Sequence, residues 1–148
     1  MTPLHDTLVL ERTYPASPAR VFAAWEEPQA RLRWAVPKGQ ALIFDATDFR
    51  VGGRDLSRCG DPGDLRYRLE TLYEAIVPGR RLVLSERCRD GETLLSVALI
   101  TVEIEPSGTG TSLTLTNQIV ALDGGGMIAG SRHGWNAALD NLAEDLRA

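Results

Sequence analysis

Between Gln40 and about Leu122 the chain has no helical period, only strand-length stretches cut by short turns. Ala41 to Arg50, Arg54 to Cys59, Arg66 to Val77, Arg81 to Arg89, Thr93 to Glu105 and Thr111 to Ala121 read as strands. The breaks between them carry turn chemistry: Gly52-Gly53, Gly60 to Asp64, Pro78-Gly79, Asp90-Gly91 and Pro106 to Gly110. Connections this short leave no room for crossover helices, so successive strands must be antiparallel neighbours. One antiparallel sheet built this way has an apolar face that something else must cover.

The cover is expected from the ends of the chain. Thr7 to Tyr14 alternates as a further strand. Ser17 then offers an N-cap and Pro18 suits the first helical position, with Val21, Phe22 and Trp25 on one face of the helix that follows. Pro28 interrupts it, and Gln29 to Trp34 gives a second short helix. The run Gly124-Gly125-Gly126 frees the chain to turn into the last element, a helix over Met127 to Ala148. Ile128, Trp135, Ala138, Leu139, Leu142 and Leu146 share its apolar face, opposite Arg132, Asn136, Asp140, Glu144 and Asp145. Only this helix is long enough, at about 1.5 Å per residue, to cross a sheet. The class is α+β.

Gly130, Gly134 and Ala138 form a bare stripe beside those large residues. A glycine inside a helix costs roughly 1 kcal/mol relative to alanine, so two of them require a reason. Either the stripe packs against backbone, or it forms one wall of an internal cavity.

The chain of 148 residues fits one domain, with 43% hydrophobic and 24% charged residues. Its net charge of -4, without a basic run, argues against nucleic-acid binding. No stretch approaches the length of a membrane span, and Met1 to Asp6 lacks the pattern of a signal peptide. Cys59 and Cys88 are expected as reduced thiols of a cytoplasmic protein, or as a redox pair should their strands be neighbours. Two histidines and two cysteines without ligand spacing give no metal site. There is no nucleophile elbow, phosphate loop or dinucleotide fingerprint, so no cofactor is expected.

The order of elements, with Ser17 to Trp25 (SPARVFAAW), Asp48 to Gly53 (DFRVGG), Val77 to Leu82 (VPGRRL), Gly110 to Leu115 (GTSLTL) and Gly134 to Leu142 (GWNAALDNL), resembles the family of activator of Hsp90 ATPase homologues. The resemblance runs over nearly the whole chain, 1–148, as a single START-like domain of the SRPBCC superfamily. It implies the helix-grip (Bet v 1/START-like) fold: a curved antiparallel sheet of about seven strands over a long C-terminal helix, with two short helices after the first strand. It implies a pocket between sheet and helix, a small hydrophobic ligand, and no particular chemistry, because the superfamily spans carriers, receptors and cyclases. The co-chaperone's separate Hsp90-engaging domain is not expected in a chain of this length, so Hsp90 is not carried over as a partner.

Strand parity puts Glu86 on one face with Leu82, Leu84 and Cys88. Facing inward, it would be a carboxylate in an apolar cavity with a raised pKa; otherwise it pairs with an arginine at the sheet edge. Tyr67 and Tyr73 share a face with Leu69, either lining a pocket with free hydroxyls or serving as satisfied core aromatics. Asn117 lies on a face with Leu113, Leu115 and Ile119. The cavity candidates are therefore Trp34, Tyr67, Tyr73, Glu86, Asn117, Gly130, Gly134 and Ala138, with no catalytic residue assigned. Trp25 is expected to seal the interior and Trp135 to pack on the sheet; His133 has no assigned role. The leading reading is a protein that encloses a small hydrophobic or amphipathic molecule. The alternatives are a cyclase- or hydratase-type enzyme with Glu86 as acid or base, and a protein-interaction module related to Hsp90 co-chaperones. Homodimerisation through an exposed part of the sheet is compatible with all three.

Overall fold

The computed structural model describes residues 2–147. Met1, where the leader reading begins, and Ala148, the expected last residue of the final helix, lie outside them. The elements are β1 (Leu4–Tyr14), α1 (Pro18–Glu26), α2 (Pro28–Trp34), β2 (Ala41–Ala46), β3 (Arg54–Asp61), β4 (Asp64–Val77), β5 (Arg81–Asp90), β6 (Thr93–Ser107), β7 (Gly110–Ala121) and α3 (Gly126–Arg147). The seven strands form one curved antiparallel sheet in the order β1-β7-β6-β5-β4-β3-β2. Each of β2 to β6 lies beside its successor, as short turns demand, and β1 closes onto β7 over its full length.

Local chemistry sets the boundaries. The Ser17 side chain accepts a hydrogen bond from the Arg20 amide at 3.2 Å, and Pro18 follows at the first turn of α1. The strand expected over Ala41 to Arg50 ends at Ala46. A register shift between Phe44 and Ala46 unpairs it, and residues 48–53 fold into a turn instead. There Arg50 N–H donates to the Asp48 carbonyl at 3.0 Å and Gly53 N–H to the Arg50 carbonyl at 2.8 Å. A side chain at Gly53 would sit 2.1 Å from the Asp48 carbonyl oxygen, so only glycine closes this turn. At the other end, Gly124 (φ 83°) and Gly125 (φ 103°) redirect the chain into α3. Asp123 accepts from the Gly125 and Met127 amides there, at 3.3 and 3.2 Å.

The core lies between β1, β7 and β6 on one side and α1 with the second half of α3 on the other. Ala138, Leu139, Leu142 and Leu146 are buried from α3, against Leu10, Ile100, Leu113 and Leu115 from the sheet. Each such leucine or isoleucine contributes about 1.5–3 kcal/mol through burial. Tyr14 on β1 donates to the Leu139 carbonyl at 3.0 Å, tying sheet to helix, and burial raises its pKa. Asn141 reaches the Val36 carbonyl at 2.9 Å and so anchors the segment after α2. Trp135, expected on the sheet, instead stacks on Trp25 of α1, with ring centroids 6.0 Å apart and planes 19° apart.

Candidate ligand-binding cavity

The other half of the sheet, β2 to β5, is not in contact with α3 in this way. Between it and the first half of α3 lies a cavity of about 560 Å³. Side-chain size accounts for the space. Two rows of in-register residues run across the floor: Asp55, Thr71, Glu86, Ala98 and Ile119 in one, and Ser57, Leu69, Cys88, Ser96 and Ala121 in the next. Most of these are small. Above them Gly130 and Gly134 face the same space, and a Cβ added at either would meet no atom within 4 Å. Of the two explanations for the stripe, backbone packing is thereby excluded at these positions. Ala138, third in the stripe, is 1% exposed within the core and does not border the cavity, which corrects its place among the candidates.

Trp34, Tyr67, Tyr73, Glu86 and Asn117 all border the space. Trp34 is fully buried, donates to the Ala24 carbonyl at 3.1 Å, and meets Trp25 edge-on at 4.7 Å. The hydroxyl of Tyr73 is spent. It donates to Asp55 and accepts from Arg31 at 3.2 Å, so Tyr73 offers a ring and no free polar group. The hydroxyl of Tyr67 has no partner among the described residues. Asn117 donates from its amide nitrogen to the Ser131 hydroxyl of α3 at 2.8 Å, leaving its oxygen buried and unpartnered. His133 borders the mouth and is exposed.

Glu86 does not pair with an arginine, so the edge ion-pair alternative is corrected. Thr71 on the neighbouring strand donates to its Oε2 at 2.9 Å, and no ion pair reaches it among the described residues. Glu86 lies deep in the molecule yet keeps some accessible surface, which is surface of the cavity. Burial raises its pKa; the Thr71 hydrogen bond opposes this and the Asp55 charge adds to it.

The sequence reading missed Arg31 and Asp55. Arg31 Nη1 meets Asp55 Oδ2 at 2.5 Å, and the guanidinium sits 4.6 Å over the Phe44 ring. Asp55 is 2% exposed and Arg31 9%. One signal was available. In Asp55-Leu56-Ser57-Arg58-Cys59 the inward face of β3 is polar, while Leu56 points out and is exposed. Such inverted alternation marks a wall that is not plain core.

Cys59 and Cys88 both border the cavity. They sit on β3 and β5 with β4 between, so their strands are not neighbours and no redox pair forms. Burial, with the charge of Glu86 second, pushes the Cys59 thiol up to about 11 and the Cys88 thiol up to about 12. Neither is a ready nucleophile. Among the described residues no group of His, Cys, Asp and Glu could hold a metal ion.

The model of the family described as activator of Hsp90 ATPase homolog 1-like protein matches residues 15–147. The chain belongs to that family. A solved protein of the family's fold from Rhizobium leguminosarum is 36% identical, with 99% of this chain and 97% of that one covered and a TM-score of 0.89. The Mll3558 protein of Rhizobium loti is 39% identical over 98% and 99% of the two chains, with a TM-score of 0.87. The AHSA1 protein of Silicibacter pomeroyi, at 22% identity over 96% and 98% and a TM-score of 0.79, shares the fold. No curated protein matches. Family and fold together are those of a ligand-binding domain in the general sense, START-like in architecture. No helix among the described residues is long and apolar enough to cross a membrane.

Proposed function

We propose that this protein binds a small hydrophobic or amphipathic molecule in the cavity between β2 to β5 and the first half of α3. The observation that carries this is the open space above Gly130 and Gly134. Two helix-weakening residues are retained where alanine would fit without contact, so the emptiness itself is what they provide. A volume of about 560 Å³ lies within the range of roughly 300–1,000 Å³ of small-molecule sites. The walls are mainly apolar, with Trp34, Tyr67, Glu86 and Asn117 as the groups that would orient a guest. Tyr73 contributes its ring.

The test has two parts. Mass spectrometry of gently purified protein is expected to find a co-purifying small molecule. Gly134→Leu fills the space and is expected to abolish that co-purification while the protein still melts cooperatively. A variant that folds and still carries the molecule would overturn the assignment. The enzymatic alternative rests on the raised pKa of Glu86, which suits an acid or base. Its only hydrogen-bond partner among the described residues, Thr71, supplies no second acid–base group. Hsp90 is not proposed as a partner.

A further inference from the structure

Three carboxylates border the cavity, and two are already answered. Asp55 has its charge matched by Arg31, and Arg31 and Tyr73 both bond its Oδ2, while its Oδ1 is buried without a partner among the described residues. Asp123 accepts two amides at the start of α3. Glu86, in register with Asp55 across the single intervening residue Thr71, has only that hydroxyl. On the other side of Glu86 the row continues with Ala98, which leaves space where a longer cationic side chain would have reached it. Among the described residues no lysine borders the cavity, and the one arginine that does, Arg31, is paired with Asp55. The remaining N–H groups of Arg31, at Nε and Nη2, are closed off from the cavity and offer no fork to an anion. His133 sits at the mouth, on the far side of the space.

The donors nearest Glu86 are therefore engaged and an acceptor is free, although the Tyr67 hydroxyl elsewhere on the wall has no partner among the described residues. The Thr71 hydroxyl goes to Glu86, and the Tyr73 hydroxyl and Arg31 Nη1 go to Asp55. The free oxygen of Glu86 faces the hollow. An occupant that brings donors and positive charge answers this arrangement, and one that brings a carboxylate adds a third negative group to the row. An ammonium has three donors and no acceptor. The rings of Trp34, Tyr67 and Phe44 along the walls take an apolar body, while Arg31 already lies over Phe44 and Arg66 over Tyr67, which leaves Glu86 as the group for the cation.

On the basis of the cavity reading above, we propose that the ligand is an amphipathic amine, an apolar body carrying one basic nitrogen, held by Glu86 as its counter-ion. Glu86 lies in the interior with no ion pair among the described residues, and burial raises its pKa, as expected of a carboxylate without a counter-ion. When the amine enters as an ammonium, it pairs with the carboxylate and the two charges are neutralised within the site.

The experiment compares octylamine, octanol and octanoate at pH 8 by tryptophan fluorescence, since Trp25, Trp34 and Trp135 border the space. Octylamine is expected to bind about tenfold or more tighter than either analogue, the size of one charge-assisted hydrogen bond. Glu86→Gln keeps the shape and the Thr71 contact; it is expected to remove the amine preference and leave octanol binding in place. Equal or tighter binding of octanol or octanoate, or an amine preference that survives in Glu86→Gln, overturns the amine assignment and leaves the cavity reading standing. Failure of all three probes, with Gly134→Leu no different from wild type, overturns the cavity reading and this inference with it.

Discussion

From Trp135 onward α3 buries Ala138, Leu139, Leu142 and Leu146 against the sheet and α2, whereas from Gly126 to Gly134 the same helix passes over a hollow. The second half is also tied by polar contacts. Arg12 donates to Asn136 at 2.8 Å, Arg33 pairs with Asp145 at 2.7 Å, and Asn141 holds the Val36 carbonyl. Among the described residues the first half has two such ties to the sheet, Asn117 to Ser131 at 2.8 Å and the looser, exposed pair of Arg132 with Asp6 at 3.7 Å. One helix thus does two jobs, and the division falls where glycine gives way to alanine and leucine. Stability comes from one half, and space comes from the other. A domain of marginal stability can leave a hollow in its middle only if the rest of the interface is well packed.

The largest expected effect breaks the packed half. Leu142→Ala should cost about 2–5 kcal/mol in denaturant unfolding, the range for a fully buried leucine in a tight core. A cost well under 1 kcal/mol would mean that this half is as loosely packed as the other. In the open half the sign should reverse. Gly130→Ala and Gly134→Ala should each stabilise by roughly 0.5–1 kcal/mol, because alanine favours the helix and meets nothing. Destabilisation by either would show that the space is filled.

The smallest effect depends on pH. Because burial raises the Glu86 pKa, the folded protein holds that proton to higher pH than the unfolded chain does. Below about pH 4 both states are protonated and Glu86→Gln should leave the melting temperature unchanged. As pH rises through the ordinary carboxylate value toward the raised one, wild type should fall progressively below the variant. The groups around Glu86 bear on the curve: Asp55 and Cys59 from β3, Tyr67 and Tyr73 from β4, Cys88 on its own strand, Arg31 from α2, and Asp123 and His133 from the start of α3. Of these, Asp55 adds to the raised value and Arg31 is held by Asp55. A difference between variant and wild type that stays constant from acid to neutral pH would show that Glu86 has a charge partner after all.

Much of the fold was legible because its causes are local. Ser17 and Pro18 start α1 through their own chemistry, and the Asp90-Gly91 turn places β5 beside β6. The end of β2 was not legible, since the turn at residues 48–53 depends on Gly52 and Gly53 bonding to Tyr73 on β4. Within the site, parity placed Glu86 and Asn117 on inward faces. It could not say that Glu86 would lack a cation, because Arg31, which borders the same cavity, is claimed by Asp55 from another strand. Ala138 was misplaced for a related reason. Helical spacing puts it in line with the glycines, and only the approach of sheet and α2 decides where along that line the gap ends.

By itself the amino-acid order determined seven alternating segments, three helices, their antiparallel sequence and the greasy side of the last helix, all of which follow from neighbours a few positions apart. Tertiary structure alone decided that Gly130 and Gly134 look into emptiness, that Trp135 turns to Trp25, and that Arg31 neutralises Asp55 while Glu86 goes without. Those outcomes depend on which residues distant strands and helices bring face to face. No periodicity within a single element records that meeting.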